Sequence, residues 1–297
     1  MPYENMKKQA EKYGIPYEKN GRVLVWHDEF DGEELNAKKW QISKTMGAND
    51  RIYTNDKKHA RVENGKMVLQ AFRSEDDKDI FTLPDGLNTL RTMNFKYGYL
   101  EMYANVPIRQ GAWTSFWMLS NTVFQKADWM SEIDIFECFG HPTDIYPDIH
   151  KHGGKERGSN HLQTLGGKFI IGDRGYSFNE ETINDEYHLY GLEWDEKFLK
   201  FSIDGEVYST FPIEDETCNF CPQGVTDCKA YHDFHYVIMN NELMTEGGWY
   251  KHSPESRVKD HTVFPFTYSI DYVRLYQKEG EEIKLVDEIE KAYKEKE

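Results

Sequence analysis

No stretch of this chain approaches the roughly 20 consecutive apolar residues of a membrane-spanning helix, so no such span is expected. Its opening, "MPYENMKKQAEKYG", also lacks the apolar segment of a secretory leader. Two compartments stay open: the cytoplasm, or a secreted or cell-surface location whose leader was removed and replaced by a start methionine. Cations are scarce as well. Lys and Arg number 36 against 52 Asp and Glu, a formal charge of −16, which argues against nucleic acid and anionic membrane surfaces as partners. A strongly anionic polymer is disfavoured for the same reason, unless a basic patch is local. Neither an internal repeat nor a low-complexity tract is present, and the strand–helix alternation of parallel α/β folds is missing.

Aromatic residues are abundant, with 7 Trp, 19 Tyr and 17 Phe in 297 residues. Many belong to a core, and a surplus suits stacking on flat ligands such as sugar rings. Short β-prone segments follow one another along the chain: "RVLVWHDEF", "ARVENGKMVLQAF", "YGYLEMYANV", "AWTSFWML", "EIDIFECF", "YHLYGLEW", "FLKFSIDGEVYSTF", "FHYVIMNN" and "SIDYVRLYQ". Turn signals such as "ENGK" and "IDGE" separate them. The pattern predicts an all-β protein, an antiparallel β-sandwich or jelly roll forming one domain over residues 21–280. Residues 1–20 and 281–297 are charged and helix-prone, and are expected as short peripheral helices. The stretch 141–185, rich in Gly, His and Asn, is expected to form loops rimming a cleft. A monomer is expected.

The stretch "DWMSEIDIFECFG", residues 128–140, sets three carboxylates in a run that otherwise reads as a buried strand. Alternation sends Glu132 and Asp134 to one face, and Ile133 and Ile135 to the other. Strict alternation would then turn Glu137 into the apolar layer, where a lone carboxylate costs several kcal/mol or stays protonated. One extra residue, a β-bulge, returns Glu137 to the acidic face, and bulges are over-represented beside active sites. Two carboxylates about 5 Å apart suit retaining glycoside hydrolysis, one as nucleophile and the other as general acid and then base. Asp134 between them can help hold their pKa values apart. A solvated acidic face of an edge strand and a divalent-ion site are the plainer alternatives. Against them, "IDIF" is out of place on an edge strand, and oxygen-ligand sites usually come with Gly, Asn and Asp in a loop.

These residues resemble the ExDxxE signature of glycoside hydrolase family sixteen, and the likeness extends beyond the motif. "VWHDEFDGEELNAKKW" is similar to the family's opening strand, and "FKYGYLEMYANVPIRQGAWTSFWMLS" resembles its "yGyfEaraKvP…W-x-x-FW" stretch. "YHLYGLEWDEKFLKFSIDGEVY" and "SIDYVRLYQ" resemble its later strands. The resemblance implies a jelly roll with a concave substrate cleft, and an endo-acting, retaining β-glycan hydrolase that requires no cofactor for its chemistry. Glu132 matches the nucleophile, Asp134 the assisting carboxylate and Glu137 the acid/base. Trp113 and Trp117 match aromatic positions of the cleft, and Trp129 is a further sugar platform or else a core residue. A histidine near the acid/base is implied, a place for His150 or His152 unless these are plain surface residues.

The sugar is read from smaller signals. "GANDRIYT" resembles a laminarinase-like stretch and adds Asn49 and Arg51 as substrate-binding candidates. "ECFG" and "IMNNEL", the latter with Asn241, lean towards agarases and porphyranases, and the glucanase-type "AVGG" run is missing. The expected polysaccharide is a neutral β-1,3-glucan, with a β-galactan of agar, porphyran or carrageenan type as the alternative. A non-catalytic carbohydrate-binding sandwich is the rival from another class.

Cys218, Cys221, Cys228 and His232 follow a C-x2-C-x6-C-x3-H spacing that could hold a structural Zn²⁺. The alternatives are reduced thiols, or one disulfide with Cys228 left over. Cys138 is expected in the inter-sheet core. The resemblance also implies a structural Ca²⁺ away from the cleft, with Asp271 as a ligand or else simply solvated.

Overall fold

The computed structural model describes residues 2–43, 49–127, 129–140, 144–154, 176–177, 186–214, 228–247 and 254–296. Two curled sheets stack face to face as a jelly-roll sandwich, one of eleven strands and one of nine among the described residues. The acid stretch lies in the nine-stranded sheet. Its main path runs Tyr176–Ser177, Asp144–Gly154, Trp129–Glu137, Ala112–Ser120, His235–Leu243, Gly86–Asn88 and Gln41–Ser43, each antiparallel to the next. One parallel pair occurs among the described strands, Arg51–Thr54 beside Phe81–Pro84, at the rim of the other sheet.

Alternation builds the core. Along Ala112–Ser120, Ala112, Thr114, Phe116 and Met118 are fully enclosed, whereas Trp113 and Trp117 stay partly open. Leu100, Met102, Val273 and Leu275 close the layer from the opposite sheet. Burial contributes roughly 1.5–3 kcal/mol for each large apolar side chain, so this layer dominates the stability. Both expected hairpin turns form. Asn64 and Gly65 have φ of 52° and 71°, and Asp204 and Gly205 have 51° and 87°, the two consecutive left-handed residues of a type I′ turn.

Two details differ from the sequence reading. Residues 144–154 form a strand paired to the acid strand instead of a loop. "DIYPDIHKHGG" mixes Asp, Pro, His and Gly with few β-formers, which hides it. Pro147 falls where the ladder skips, between the Asp134–Asp148 and Glu137–Tyr146 pairs, a place that needs no N–H donor. The chain ends also carry strands as well as helices. Glu18–Lys19 pairs with Arg22–Asp28, and Glu282–Leu285 with Met93–Lys96. Helix Pro2–Tyr13 and the residues after it bury Ala10 and Ile15 against Leu24, Tyr99 and Tyr276. Helix Val286–Lys294 buries Ile289, and its Tyr293 hydroxyl donates to Asn121 Oδ1 at 3.0 Å.

On the core side, His235 is fully buried beside the acid strand. Its Nδ1 lies 2.9 Å from the Asp233 carbonyl and its Nε2 2.7 Å from the Ser131 hydroxyl, which itself donates to the Ala230 carbonyl at 2.7 Å. Burial pushes its pKa down to about 3, while in the unfolded chain it protonates near 6.5. The folded value is the lower one, so this stability is complete above pH 6.5 and is lost as pH falls towards 3, at about 1.4 kcal/mol per unit. Between pH 7.5 and 5.0, chemical denaturation is expected to show wild type losing about 2 kcal/mol more than His235→Gln. Equal losses would remove His235 as the source.

Candidate active site

The register between the acid strand and Ala112–Ser120 slips by one residue. Glu137 faces Ser115 and Phe136 faces Phe116, but Trp117 faces Asp134. Ile135 is therefore the extra residue. Opposed residues share a face, and Ser115, Trp117 and Leu119 alternate along their strand. Glu137, Asp134 and Glu132, opposite these three, consequently emerge on one side. The bulge is present.

Its inward side is equally specific. Ile135 and Phe136 are both buried, so the extra residue turns two consecutive apolar side chains into the core. The Ile135 carbonyl accepts from the Tyr208 hydroxyl of the other sheet at 3.4 Å. Phe136 packs on Phe116, and across the sandwich on Tyr190 and Tyr268, with centroids 6.3, 4.6 and 6.4 Å apart. The acids stand on an aromatic footing.

On the open face, Glu132 and Glu137 are partly exposed and Asp134 only 1%. The Trp113 indole donates to Glu137 Oε1 at 2.9 Å, and its ring stacks on Phe139. The Trp117 indole donates to Asn240 Oδ1 at 2.8 Å. Past the strand, the backbone turns through Phe139 and Gly140 with φ of 34° and 67°. A Cβ on Gly140 would lie 2.1 Å from the Ser256 carbonyl oxygen, so only glycine fits. Cys138 points inward as expected, its sulfur 3.0 Å from both the amide and the carbonyl of Thr114. Burial pushes this thiol up to about 12, which makes it a packing residue and not a nucleophile.

Several candidates sit elsewhere. Trp129 is 5% exposed and packs edge-on against Tyr231 in the core, so it is no sugar platform. Asn241 is opposite the inward Thr114 and is 2% exposed. Its Oδ1 accepts from the Thr114 hydroxyl, and its Nδ2 donates to the Leu69 and Phe266 carbonyls, all at 2.9 Å. Asn240 takes the place on the open face. Strict alternation through Val237, Met239 and Leu243 would have shown this, and would have added Tyr236 and Glu242 as outward residues. Arg51 is buried, and its guanidinium is spent on Glu242, the Leu243 carbonyl and the Thr245 hydroxyl. Asn49 is exposed. His150 falls opposite Glu132 and His152 opposite Met130 in the register, while their side chains lie outside the described residues.

The metal readings find little support in these side chains. His232 Nε2 donates to the Ile213 carbonyl at 3.0 Å and its Nδ1 faces the Tyr97 hydroxyl at 2.8 Å, so neither nitrogen fits a zinc bond. Cys228 is buried, and Cys218 and Cys221 lie outside the described residues. Asp271 does not fit a calcium ligand, because the Lys66 ammonium already sits 2.5 Å from its Oδ1. Among the described residues no three His, Cys, Asp or Glu side chains group to hold a metal ion.

The family model described as β-porphyranase A–D, GH16 domain, matches residues 23–278. The chain belongs to glycoside hydrolase family sixteen. Similar to this family-sixteen domain is the glucan endo-1,3-β-glucosidase A1 of Niallia circulans, 26% identical over 87% of this chain and 38% of that one. The β-glucanase of Rhodothermus marinus is 28% identical over 86% of this chain and 85% of its own length. Among solved structures, the laminarinase from Flavobacterium sp. UMI-01 superposes with a TM-score of 0.62 at 27% identity, covering 86% of this chain and all of that one. The family-sixteen chain spans little more than a third of the length of two curated relatives, 38% and 34%.

Proposed function

We propose that this family-sixteen chain is an endo-acting, retaining β-1,3-glucan hydrolase. The observation that carries the reading is the bulge at Ile135, which returns Glu137 to the face of Glu132 and Asp134 beside Trp113 and Trp117. Glucanases and laminarinases among the similar proteins support the sugar. Glu132 attacks the anomeric carbon while Glu137 gives a proton to the departing glycosidic oxygen. Glu137 then takes a proton from water, whose oxygen attacks the same carbon and releases Glu132. Asp134 stands almost fully buried between them, in the place of the assisting carboxylate. The Trp113 N–H orients the Glu137 carboxyl, and the two indole rings suit the apolar faces of pyranoses.

A β-galactan is the second reading, favoured by the porphyranase description of the matching family model. The chemistry is the same. Incubation with laminarin, mixed-linkage glucan, agarose, porphyran, carrageenan and a mucin-type galactan is expected to give short oligosaccharides from laminarin. Products from a galactan alone would move the assignment to the second reading. Binding without cleavage across the panel would replace the hydrolase with a carbohydrate-binding sandwich.

A further inference from the structure

Glu242 sits directly across the ladder from Trp113, the residue whose indole donates to Glu137. The acid motif does not require it. Its neighbours on the open face of that strand are Ile238 and Asn240, and a glutamate in such a place is costly unless partners hold it. Two side chains converge on one of its oxygens, and the Leu243 backbone N–H adds a bond to the carboxyl. Arg51 Nη1 and the Tyr53 hydroxyl both donate to Oε2, each at 3.0 Å. Arg51 is itself fixed by the Leu243 carbonyl, by Thr245 and by Asp50, the last at 3.6 Å. The Glu242 side chain keeps 13% exposure, and Oε1 lies outside the Arg51 and Tyr53 bonds. Its direction is set before any ligand arrives, so the ordering cost of binding is already met by the fold. Arg51 shares its one positive charge between Glu242 and Asp50, which leaves the surroundings anionic and suited to an uncharged sugar.

We propose that Glu242 reads the hydroxyls of the sugar bound beside Glu137, with Oε1 accepting hydrogen bonds from a neutral pyranose. This rests on the hydrolase reading above and names one of its specificity contacts. Burial raises the carboxyl's pKa, and Arg51 and Tyr53 pull it back. Tyr53 and Arg51 are positioning residues in this scheme, since they act through Glu242.

The test is steady-state kinetics of wild type, Glu242→Gln and Tyr53→Phe on oligosaccharides of whichever panel polysaccharide the wild type cleaves. Glutamine keeps the size and the contact to Arg51 but turns an amide donor towards the sugar. KM is expected to rise about tenfold with kcat within about threefold, the loss of one charge-assisted hydrogen bond. Tyr53→Phe removes one anchor, and a rise of about two- to threefold in KM is expected. Substrates lacking one hydroxyl at a time supply a readout that a purely structural glutamate would not move. One of them should cost the wild type about tenfold in kcat/KM and cost Glu242→Gln nothing further. An unchanged KM in Glu242→Gln, or additive losses for every deoxy substrate, would overturn the proposal. Glu132→Ser in the same assay keeps the two questions apart, because its activity tests the hydrolase mechanism whatever the Glu242 kinetics show.

Discussion

Glu132→Ser is expected to cut kcat on the cleaved polysaccharide by at least about a thousandfold, some 4 kcal/mol of transition-state stabilisation. Serine is too short to reach the carbon that a glutamate carboxylate attacks, so the covalent intermediate cannot form. Stability should not follow activity down. Glu132 stands on the partly open face in line with Asp134 and Glu137, and removing one of three neighbouring carboxylates relieves repulsion. A melting temperature within about 2 °C of wild type is therefore expected. The stereochemistry gives an independent check: proton NMR of the first wild-type products should show the anomeric configuration retained, as two displacements require. An inverted product would refute the nucleophile, and near-normal turnover in the serine variant would refute it outright.

Asn241→Leu is expected to cost about 3–5 kcal/mol of stability. The amide joins three buried groups at 2.9 Å: the Thr114 hydroxyl on the neighbouring strand, and the Leu69 and Phe266 carbonyls of the opposite sheet. Leucine has nearly the same size and satisfies none of them. Each orphaned polar group costs about 1–3 kcal/mol, with some relief from relaxation. The denaturant midpoint should fall with the slope unchanged. Asn240→Leu, one residue away on the open face, should leave the midpoint almost where it was. Similar midpoints for Asn241→Leu and wild type would contradict the inward placement.

These two residues show what could be read from sequence and what could not. The acid stretch was legible because it contradicts itself: carboxylates in a buried strand, the last one out of step, leave few physical solutions, and the bulge is the one the fold adopts. Residue type misleads at Asn241, and at Trp129 it leaves open a choice that alternation decides for the core. An amide looks like a sugar ligand and an indole like a platform, yet Met239 and Leu243 fix Asn241 inward just as Ile133 marks the buried side of the acid strand. The strand at 144–154 was hidden by residues that seldom form strands, since its pairing comes from the neighbour and not from its own propensity. Alternation marks Glu242 as outward but says nothing of what anchors it. Its partner Arg51 is 191 positions away, and only the closed sandwich brings them together.

The two inward side chains of the bulge bear on how the proposed active site responds to heat. Phe136 belongs to the acid strand and also to the aromatic contact with Tyr190 and Tyr268 that ties the two sheets together. The platform under the acids is thus part of the seam of the sandwich. A site carried on loops can lose its geometry well before the scaffold melts. On the proposed hydrolase reading, inactivation and unfolding are expected to coincide, because the seam between the sheets lies on the strand face opposite the acids.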